Sequence, residues 1–518
     1  MIPLCIRRLI RPETIFFVLC WCGLMAKFRE RAFNDPGAFW HIKVGQLILN
    51  DGFMKTDPFT YTFSGKTWIP QQWGGEVLMA MAHGIAGWDA LLLGMCTLLA
   101  GLFTWLFYRL TCGGMHPLFA GVITFFALFA GAYHYYTRPH MATLLLMPVF
   151  MAAIVDFERG RGSRWRLFWL IPLGIIWTNL HGGVLGGVFT LGLAVAGWGL
   201  LFLFNQASPI RTWRSAWFML AVLVACLLTP FVNPFGMEML HTWKRIVGST
   251  AMKEYVSEHQ PLSLSNTAGQ VTAAFGLFYV FALAGTFHRR PKVSWLLPLV
   301  WLALSIQGIR QGPLFAVIAL VALADFWHET IWHSLLKKYG DSLAREVEEA
   351  RTFRGAWIPA YLVLLAFTLQ VAKLPVPLLG SGWAKLDARH NPMELKDPLE
   401  NYAQHAPAGT RIFNDANLGG YVLYHAPQLK IFMDDRFELY GDDWMRDYVE
   451  VIYSHPERIE DWADTYGFDH AVILIESERL PLEKYLAESP RWETIARGNR
   501  GALFRRLPTK HEFSLITK

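Results

Sequence analysis

An aspartate follows the first apolar segment of this chain, in the stretch FNDPGAFWHIKVGQLILNDG. Asp35 stands there close to Trp40 and His41, so a carboxylate, an indole and an imidazole lie beside a segment that should enter lipid. A carboxylate in such a place can act as a general base on a substrate presented from the bilayer. It can equally cap a helix that begins near Gly37, because Asp before a helix accepts its free N–H groups. Both interpretations stay open, and the proline after Asp35 excludes only a position in mid-helix.

More polar residues stand where later apolar segments end. They are Arg138, His140, His181 and Arg310. A polar side chain at membrane depth is costly and is by default a candidate functional residue. For a single residue of this kind, a helix cap or an interfacial anchor is the simpler interpretation. Several of them on one face of a membrane protein favour a site.

The apolar segments that must position these residues run along most of the chain. The sequence of 518 residues is 53% hydrophobic and only 17% charged, which is typical of a polytopic α-helical membrane protein. About eleven segments are long enough to cross a bilayer as helices. Their approximate starts are Ile10, Asp89, Pro117, Met141, Leu167, Gly183, Ala216, Gln270, Val293, Pro313 and Ala356.

The basic residues predict an orientation, because short cytoplasmic loops carry an excess of Lys and Arg. They fall in alternate loops, at Arg7, Arg8, Arg11, Arg159, Arg161, Arg164, Arg166, Arg211, Arg214, Arg289, Arg290, Lys292, Lys337, Lys338, Arg351 and Arg354. This places the N-terminus in the cytoplasm, as an uncleaved anchor, and the polar residues above on the extracytoplasmic side. The net charge of +6 is spread between apolar segments rather than gathered on a soluble face, which excludes nucleic acid as a partner.

The first external loop, residues 27–88, is far longer than the usual link between bundle helices, and loops of that size are usually functional. Its two apolar-periodic stretches, AFWHIKVGQLIL and EVLMAMAHGIAG, predict interfacial helices that lie along the membrane. Asp57 and Glu76 in this loop are alternative bases, and together with Asp35 they could hold a divalent cation. Nothing in their spacing requires a metal, so no cofactor is certain.

Residues 385–518 predict a separate extracytoplasmic α/β domain after a membrane bundle of residues 1–384. TRIFNDA, LKIFMDD and DHAVILI have the composition of strands, whereas DWMRDYVEVIYSH and ERIEDWADTYG have the periodicity of amphipathic helices. Asp434, Asp435 and Arg436 end a predicted strand, where ligand-binding groups often lie in open α/β sheets. An ordinary surface turn is the favoured alternative for these three residues.

The order of these features resembles the GT-C glycosyltransferases, which are integral-membrane enzymes that use polyprenyl-phosphate sugars. The stretches NDPGAFWHIKVGQLILNDG, DPFTY and GKTWIPQQWGGEVLMAMAHGIAG are similar to the first loop of the protein mannosyltransferase and aminoarabinose-transferase branch. Asp35 with Trp40 and His41, the RP at Arg138, the HGG at His181 and the late segment NDANLGGYVLYHAPQLKIFMDDRFELYGD are similar to a group of bacterial membrane proteins classed as glycosyltransferases. This chain departs from the branch where proline follows Asp35 in place of a second acid.

The resemblance implies sugar transfer from a polyprenyl-phosphate donor to a glycan, lipid or protein acceptor outside the cytoplasm, in a bacterial inner membrane. Asp35 would be the base of an inverting displacement, and Arg138 or Arg310 would offset the charge of the phosphate leaving group. Either arginine could instead be an interfacial residue without a ligand. His41 and His181 could orient substrate hydroxyls or cap helices, and capping is preferred for His140.

Two rival functions remain. A transporter or flippase of a lipid-linked saccharide predicts charged residues near the bilayer midplane and repeat symmetry. The polar groups of this chain gather instead at one edge. A non-catalytic envelope assembly protein would account for the C-terminal domain without any role for Asp35.

Overall fold

The protein is described by a computed structural model that covers residues 11–340, 347, 357–476 and 480–508. Within these residues, a helix begins near each of the predicted starts except Asp89, which lies inside one longer helix just after a bend. The helices of the bundle and its loops are α1 Pro12–Arg31, α2 Gly37–Asp51, α3 Trp73–Cys112, α4 Pro117–Gly131, α5 Met141–Glu158, α6 Leu170–Leu180, α7 Val184–Leu203, α8 Trp213–Leu228, α9 Met237–Gly248, α10 Thr250–Tyr255, α11 Thr267–Ala284, α12 Val293–Gln307, α13 Gly312–Phe326, α14 Ile331–Tyr339 and α15 Trp357–Val371.

Seven of the described helical segments are long and apolar enough to cross a membrane. They are Trp73–Cys112, Pro117–His134, Met141–Glu158, Val184–Leu203, Trp213–Phe231, Thr267–Ala284 and Ile309–Glu329. Val293–Gln307 and Trp357–Val371 are shorter apolar helices. The polytopic helical class is therefore confirmed, whereas the count of about eleven spans and the orientation stay predictions. The basic residues Arg7, Arg8, Arg351 and Arg354 lie outside the described residues.

The two helices predicted in the first loop are α2 and the first part of α3. At Ala86 and Gly87 the backbone leaves helical geometry, and Gly87 has a φ of +59° that side chains rarely adopt. This glycine lets one continuous segment change from a loop helix to the apolar helix that begins at Trp88. The loop helix packs against α2, so the pair forms one body beside the bundle.

The C-terminal part contains a small mixed sheet. Its elements are α16 Lys396–His405, β1 Arg411–Asn414, α17 Gly419–His425, β2 Lys430–Ile431, α18 Phe437–Tyr440, α19 Asp442–Tyr453, α20 Ile459–Tyr466, β3 His470–Leu474, α21 Pro481–Glu488, β4 Trp492–Arg497 and β5 Gly501–Arg506. The strand order is β2-β1-β3-β5-β4, with β1 parallel to β2 and β3, and β5 antiparallel to its neighbours. The predicted α/β character is present, although β2 is shorter than the LKIFMDD stretch suggests.

The core of this part is shared with the first loop. Phe39, Trp40 and Val44 of α2 belong to the same buried apolar cluster as the strands, together with Phe59 and Trp68. A backbone bridge pairs Thr60 with Ile431 alongside the sheet. Because their side chains share one core, the first loop and the C-terminal part hold each other in place.

Candidate active site

One cavity of about 670 Å³ lies at the end of the bundle that faces the C-terminal part. It brings together seven of the ten residues predicted from sequence. These are Asp35, His41, Arg138, His140, His181, Arg310 and Asp435. Six of them come from four connections of the bundle, because helices that alternate in direction return every second loop to the same end. Asp435 comes from the C-terminal part. The structure thus gathers these side chains around one space.

The guanidinium of Arg138 is the centre of one wall of this cavity. Its Nε forms an ion pair with Oδ1 of Asp35, and its Nη2 lies 2.6 Å from Oδ2 of Asp435. Its Nη1 lies 4.0 Å from Oε1 of Glu258. One arginine thus holds three carboxylates from distant parts of the chain, and two of these contacts are short enough to fix geometry.

Asp35 uses one oxygen for both of its described contacts. Oδ1 accepts a hydrogen bond of 2.8 Å from the backbone N–H of Gly37 and also pairs with Arg138. The capping interpretation is thus compatible with this structure, since the accepted N–H is the first of α2. Oδ2 has no hydrogen bond or ion pair within the described residues, which leaves it available at the cavity. Burial raises the pKa of Asp35 above its ordinary value, and the charge of Arg138 opposes that rise.

Asp435 is the partner carboxylate from the C-terminal part. Burial raises the pKa of Asp435 to about 7, although Arg138 acts against this shift. Its Oδ1 is buried without a hydrogen-bond partner among the described residues. A carboxyl group whose pKa is raised toward neutrality can hold or release a proton there, and Asp435 shares the cation of Arg138 with Asp35.

The histidines of the cavity are neutral hydrogen-bonding groups. The backbone N–H of Gly183 donates to Nδ1 of His181 over 3.0 Å, which assigns the ring hydrogen to Nε2. Burial, assisted by the charge of Arg310, lowers the pKa of His181 to about 3. Nε2 of His140 lies 2.9 Å from the carbonyl oxygen of His134. Burial also lowers the pKa of His140 well below its ordinary value.

Arg310 forms a second, separate pole. Its Nη1 lies 2.6 Å from Nε2 of His259, and burial lowers the pKa of His259 to about 4, so that ring nitrogen is an acceptor. Within the part of the chain that the structure describes, no carboxylate oxygen forms an ion pair with Arg310. Its positive charge is thus not neutralised by a direct contact, in contrast to that of Arg138.

Three predicted residues do not line the cavity. Asp57 and Arg436 are buried together, with Oδ1 of Asp57 2.8 Å from Nη2 of Arg436 and Oδ2 of Asp434 at the same distance from that nitrogen. Glu76 accepts from Nδ1 of His41 over 3.0 Å. These contacts position residues of the cavity. The ion pairs of Arg436 with Asp57 and Asp434 fix the segment that carries Asp435, and Glu76 orients the imidazole of His41.

Sequence reasoning missed Glu258, His259 and His134. Oε2 of Glu258 lies 3.3 Å from Nδ1 of His134, and all three residues line the cavity. Burial alone would raise the pKa of Glu258, but the neighbouring positive charges outweigh it and lower that pKa. Glu258 and His259 lie in the connection between α8 and α11. The sequence signal for them was the length of this connection, which the alternating direction of the helices places on the same side as Asp35.

The possible metal site predicted from Asp35, Asp57 and Glu76 is not assembled by these contacts. Asp57 pairs with Arg436 and Glu76 with His41, away from Asp35. Over residues 11–340, 347, 357–476 and 480–508, no group of three or more His, Cys, Asp or Glu side chains has the geometry to hold a metal ion. In this structure the three carboxylates that do converge are joined by Arg138.

The fold and site define a polytopic helical membrane protein with a polar cavity beneath a small α/β unit. No family model matches the chain, and no curated protein matches it. The fold is similar to that of the oligosaccharyltransferase of Archaeoglobus fulgidus tethered to an acceptor peptide with the NVT sequon, at a TM-score of 0.51 and 13% identity over 95% of this chain and 74% of that chain.

The second comparison is with ArnT of Cupriavidus metallidurans in the apo state, at a TM-score of 0.51 and 14% identity over 95% of this chain and 97% of that chain. ArnT bound to undecaprenyl phosphate gives a TM-score of 0.49 and 13% identity over 96% and 98% of the two chains. The oligosaccharyltransferase and ArnT are both GT-C glycosyltransferases. The fold expected from the sequence resemblance is therefore confirmed.

Proposed function

We propose that this protein is a membrane glycosyltransferase that moves a sugar from a polyprenyl-phosphate donor to an acceptor hydroxyl on the extracytoplasmic side of a bacterial inner membrane. The observation that carries this proposal is the division of one cavity into two poles. One pole holds Asp35 and Asp435 on the guanidinium of Arg138. The other holds Arg310, whose guanidinium contacts the neutral His259 and forms no ion pair with a carboxylate among the described residues.

The first pole suits the removal of a proton. In the proposed reaction Oδ2 of Asp35 accepts the proton of the acceptor hydroxyl while that oxygen attacks the anomeric carbon. Arg138 holds the carboxylate through Oδ1, which keeps Oδ2 turned toward substrate. Direct displacement inverts the configuration at that carbon. Positioned bases of this kind contribute about 10² to 10⁴ in rate.

The second pole suits a phosphate. As the bond between the anomeric carbon and the bridging oxygen breaks, the electron pair leaves with that oxygen and the product is polyprenyl phosphate. Arg310 offsets the added negative charge, since guanidinium matches phosphate oxygens in geometry. His181, with its hydrogen on Nε2, is available to donate to a sugar hydroxyl or phosphate oxygen.

The substitution Asp35→Asn tests the base, because it separates the two interpretations of this residue. Asparagine keeps an oxygen that accepts from the N–H of Gly37 and caps helices as well as aspartate does, but it cannot take the proton. We expect transfer of label from a tritiated undecaprenyl-phosphate sugar to membrane acceptors to fall by about 10² or more. Asp51→Asn, at the exposed end of the same helix, is the matched control and should keep full transfer.

Full transfer by the Asp35→Asn variant would remove Asp35 as the base and leave it as a cap. The transfer assay is carried out with several undecaprenyl-phosphate donors, which carry either a hexose or a pentose. Absence of transfer from every donor by the native protein, with binding retained, would favour a transporter or an assembly protein.

A further inference from the structure

A second cavity, of about 740 Å³, lies on the other side of α2 from the candidate active site. Its lining includes Lys43, Lys385 and Lys396, and it contains a single carboxylate, that of Glu400, among the described residues. Nδ1 of His425 lies 3.1 Å from Oε1 of Glu400. Within the described part of the chain, none of the three lysines forms an ion pair, so the cavity carries excess positive charge.

Aromatic groups complete the wall of this lysine cavity. Nζ of Lys43 lies 5.5 Å from the ring centroid of Tyr424, and the hydroxyl of Tyr424 lies 2.9 Å from Nε2 of His83. Trp88 also lines the cavity. Lysine and tyrosine or tryptophan side chains together are typical of the level at which a membrane meets water.

Two contacts place this cavity at the ends of the apolar helices. The backbone N–H of Lys385 donates to the carbonyl oxygen of Arg29 in the last turn of α1. Both oxygens of Asp89, next to Trp88, accept backbone N–H groups from Gly382 and Ala384. Lys385 is therefore held where α1 ends and where the apolar part of α3 begins. The end of a membrane-spanning helix lies at the depth of the lipid headgroups.

An exposed apolar face adjoins the lysine cavity. Leu78, Met81 and Ile85 recur at helical spacing in the first part of α3, and each side chain is more than half exposed. His83 lies on the other face of the same turns and lines the cavity. Because a helix is about 10 Å wide, an apolar face resting in the bilayer keeps the cavity within reach of its headgroups.

We propose that the lysine cavity binds the phosphate of an anionic phospholipid from the bilayer around the protein. Lys43 and Lys396, both half-buried, supply the charge, and Tyr424 and Trp88 lie against the glycerol region of the lipid. This site is separate from the candidate active site and does not depend on glycosyl transfer. Its ligand is a lipid headgroup rather than free phosphate, since the adjoining exposed surface is apolar.

Native mass spectrometry of the purified full-length protein in detergent tests this proposal. Phosphatidylglycerol and phosphatidylcholine are titrated in parallel, with inorganic phosphate as a competitor. We expect native protein to retain phosphatidylglycerol in preference to phosphatidylcholine. The K43Q/K396Q variant should bind phosphatidylglycerol at least about tenfold more weakly, because it loses two charge-assisted contacts. The K43R/K396R variant should restore binding.

The K337Q/K338Q variant is the control, because it removes the same charge from α14, which contributes no residue to this cavity. Its phosphatidylglycerol binding should equal that of native protein. Equal retention by K43Q/K396Q and native protein would overturn the proposal, and so would displacement of the lipid by millimolar inorganic phosphate. The elution volume in size-exclusion chromatography shows whether each variant is folded. If the double variant is not folded, the single variants K43Q and K396Q are tested in its place.

Discussion

At the scale of single residues, two arginines of the cavity differ in whether carboxylates neutralise their charge. Arg138 is in contact with Asp35 and Asp435 and therefore acts as a holder of carboxylates. Arg310 contacts a neutral histidine instead. An arginine already matched by carboxylates attracts a phosphate weakly, so the difference in partners predicts a difference in role.

Replacement of Arg310 should weaken donor binding. Without the guanidinium, a phosphate in the cavity loses charge-assisted hydrogen bonds worth about 1.5–3 kcal/mol, so Arg310→Gln should bind undecaprenyl phosphate about 10 to 100 times more weakly. Titration of the purified protein with undecaprenyl phosphate measures the change. Arg245→Gln removes an exposed arginine that pairs with Glu238 and should leave the affinity unchanged. Unaltered binding by Arg310→Gln would contradict this assignment.

Asp435 should make stability depend on pH. Because its pKa rises from 3.8 to about 7 on folding, the folded protein holds this proton more tightly than the unfolded chain. The free energy of unfolding should therefore fall as pH rises from about 4 to about 7 and stay level above that. Asp435→Asn should lack this component in thermal melts across the range. Parallel pH profiles of the native protein and the variant would show that Asp435 does not titrate there.

At the scale of elements, one glycine decides how the first loop joins the bundle. α3 changes direction at Ala86 and Gly87, and this bend lets its first part lie beside α2 while the rest enters the bundle. The same bend carries His83 and Trp88 into the lysine cavity. A local backbone conformation therefore sets where the first part of α3 and the lysine cavity lie relative to the bundle.

Gly87→Ala should destabilise the protein. At a φ of +59° a Cβ atom clashes with the local backbone, at a cost of about 1–2 kcal/mol, even though open space surrounds this position. Gly84→Ala is the matched control, since Gly84 is helical and equally free of neighbours, so alanine should be neutral or slightly stabilising there. Thermal midpoints in detergent compare the two. Equal midpoints would show that the bend at Gly87 relaxes without cost.

At the scale of the whole molecule, the two ends of the bundle are built differently. The end with the candidate active site has a cavity, whereas the other end contains a buried ion network. Asp325 in α13 is fully buried, with its oxygens 2.8 Å from Nε of Arg159 and its Oδ2 2.8 Å from Nε1 of Trp295. This network ties together the ends of α5, α12 and α13, away from the cavity of the candidate active site.

Asp325→Asn should reduce stability without altering ligand affinity. Removing one partner of a buried ion pair costs about 3–5 kcal/mol. Because Arg159 keeps its second ion pair, with Glu329, we expect a loss at the lower end of that range. Asp156→Asn breaks a more exposed pair with Arg109 and should cost about 0–1 kcal/mol. Denaturation midpoints and undecaprenyl phosphate titrations of the folded variants give the two readouts. A loss of affinity in Asp325→Asn would indicate that the two ends of the bundle are coupled.

The sequence by itself determined the helices and strands, because hydropathy and periodicity are local properties. Every predicted apolar segment within the described residues contains a helix, and DHAVILI and TRIFNDA contain strands. Alternating chain direction also predicted that Asp35, Arg138, His181 and Arg310 would share one end of the bundle. That inference needed only an approximate set of spans.

Only the tertiary structure decided which of these polar groups meet. Asp57 was a candidate base and Arg436 was expected at a ligand-binding strand end or, by preference, in a surface turn, yet each is the other's buried partner. For Glu258 the sequence offered only the length and side of its connection, and packing brings its side chain to Arg138. Contacts between residues hundreds of positions apart depend on the relative placement of packed helices and sheet, and a carboxylate acts as base, cap or ion-pair partner according to those contacts.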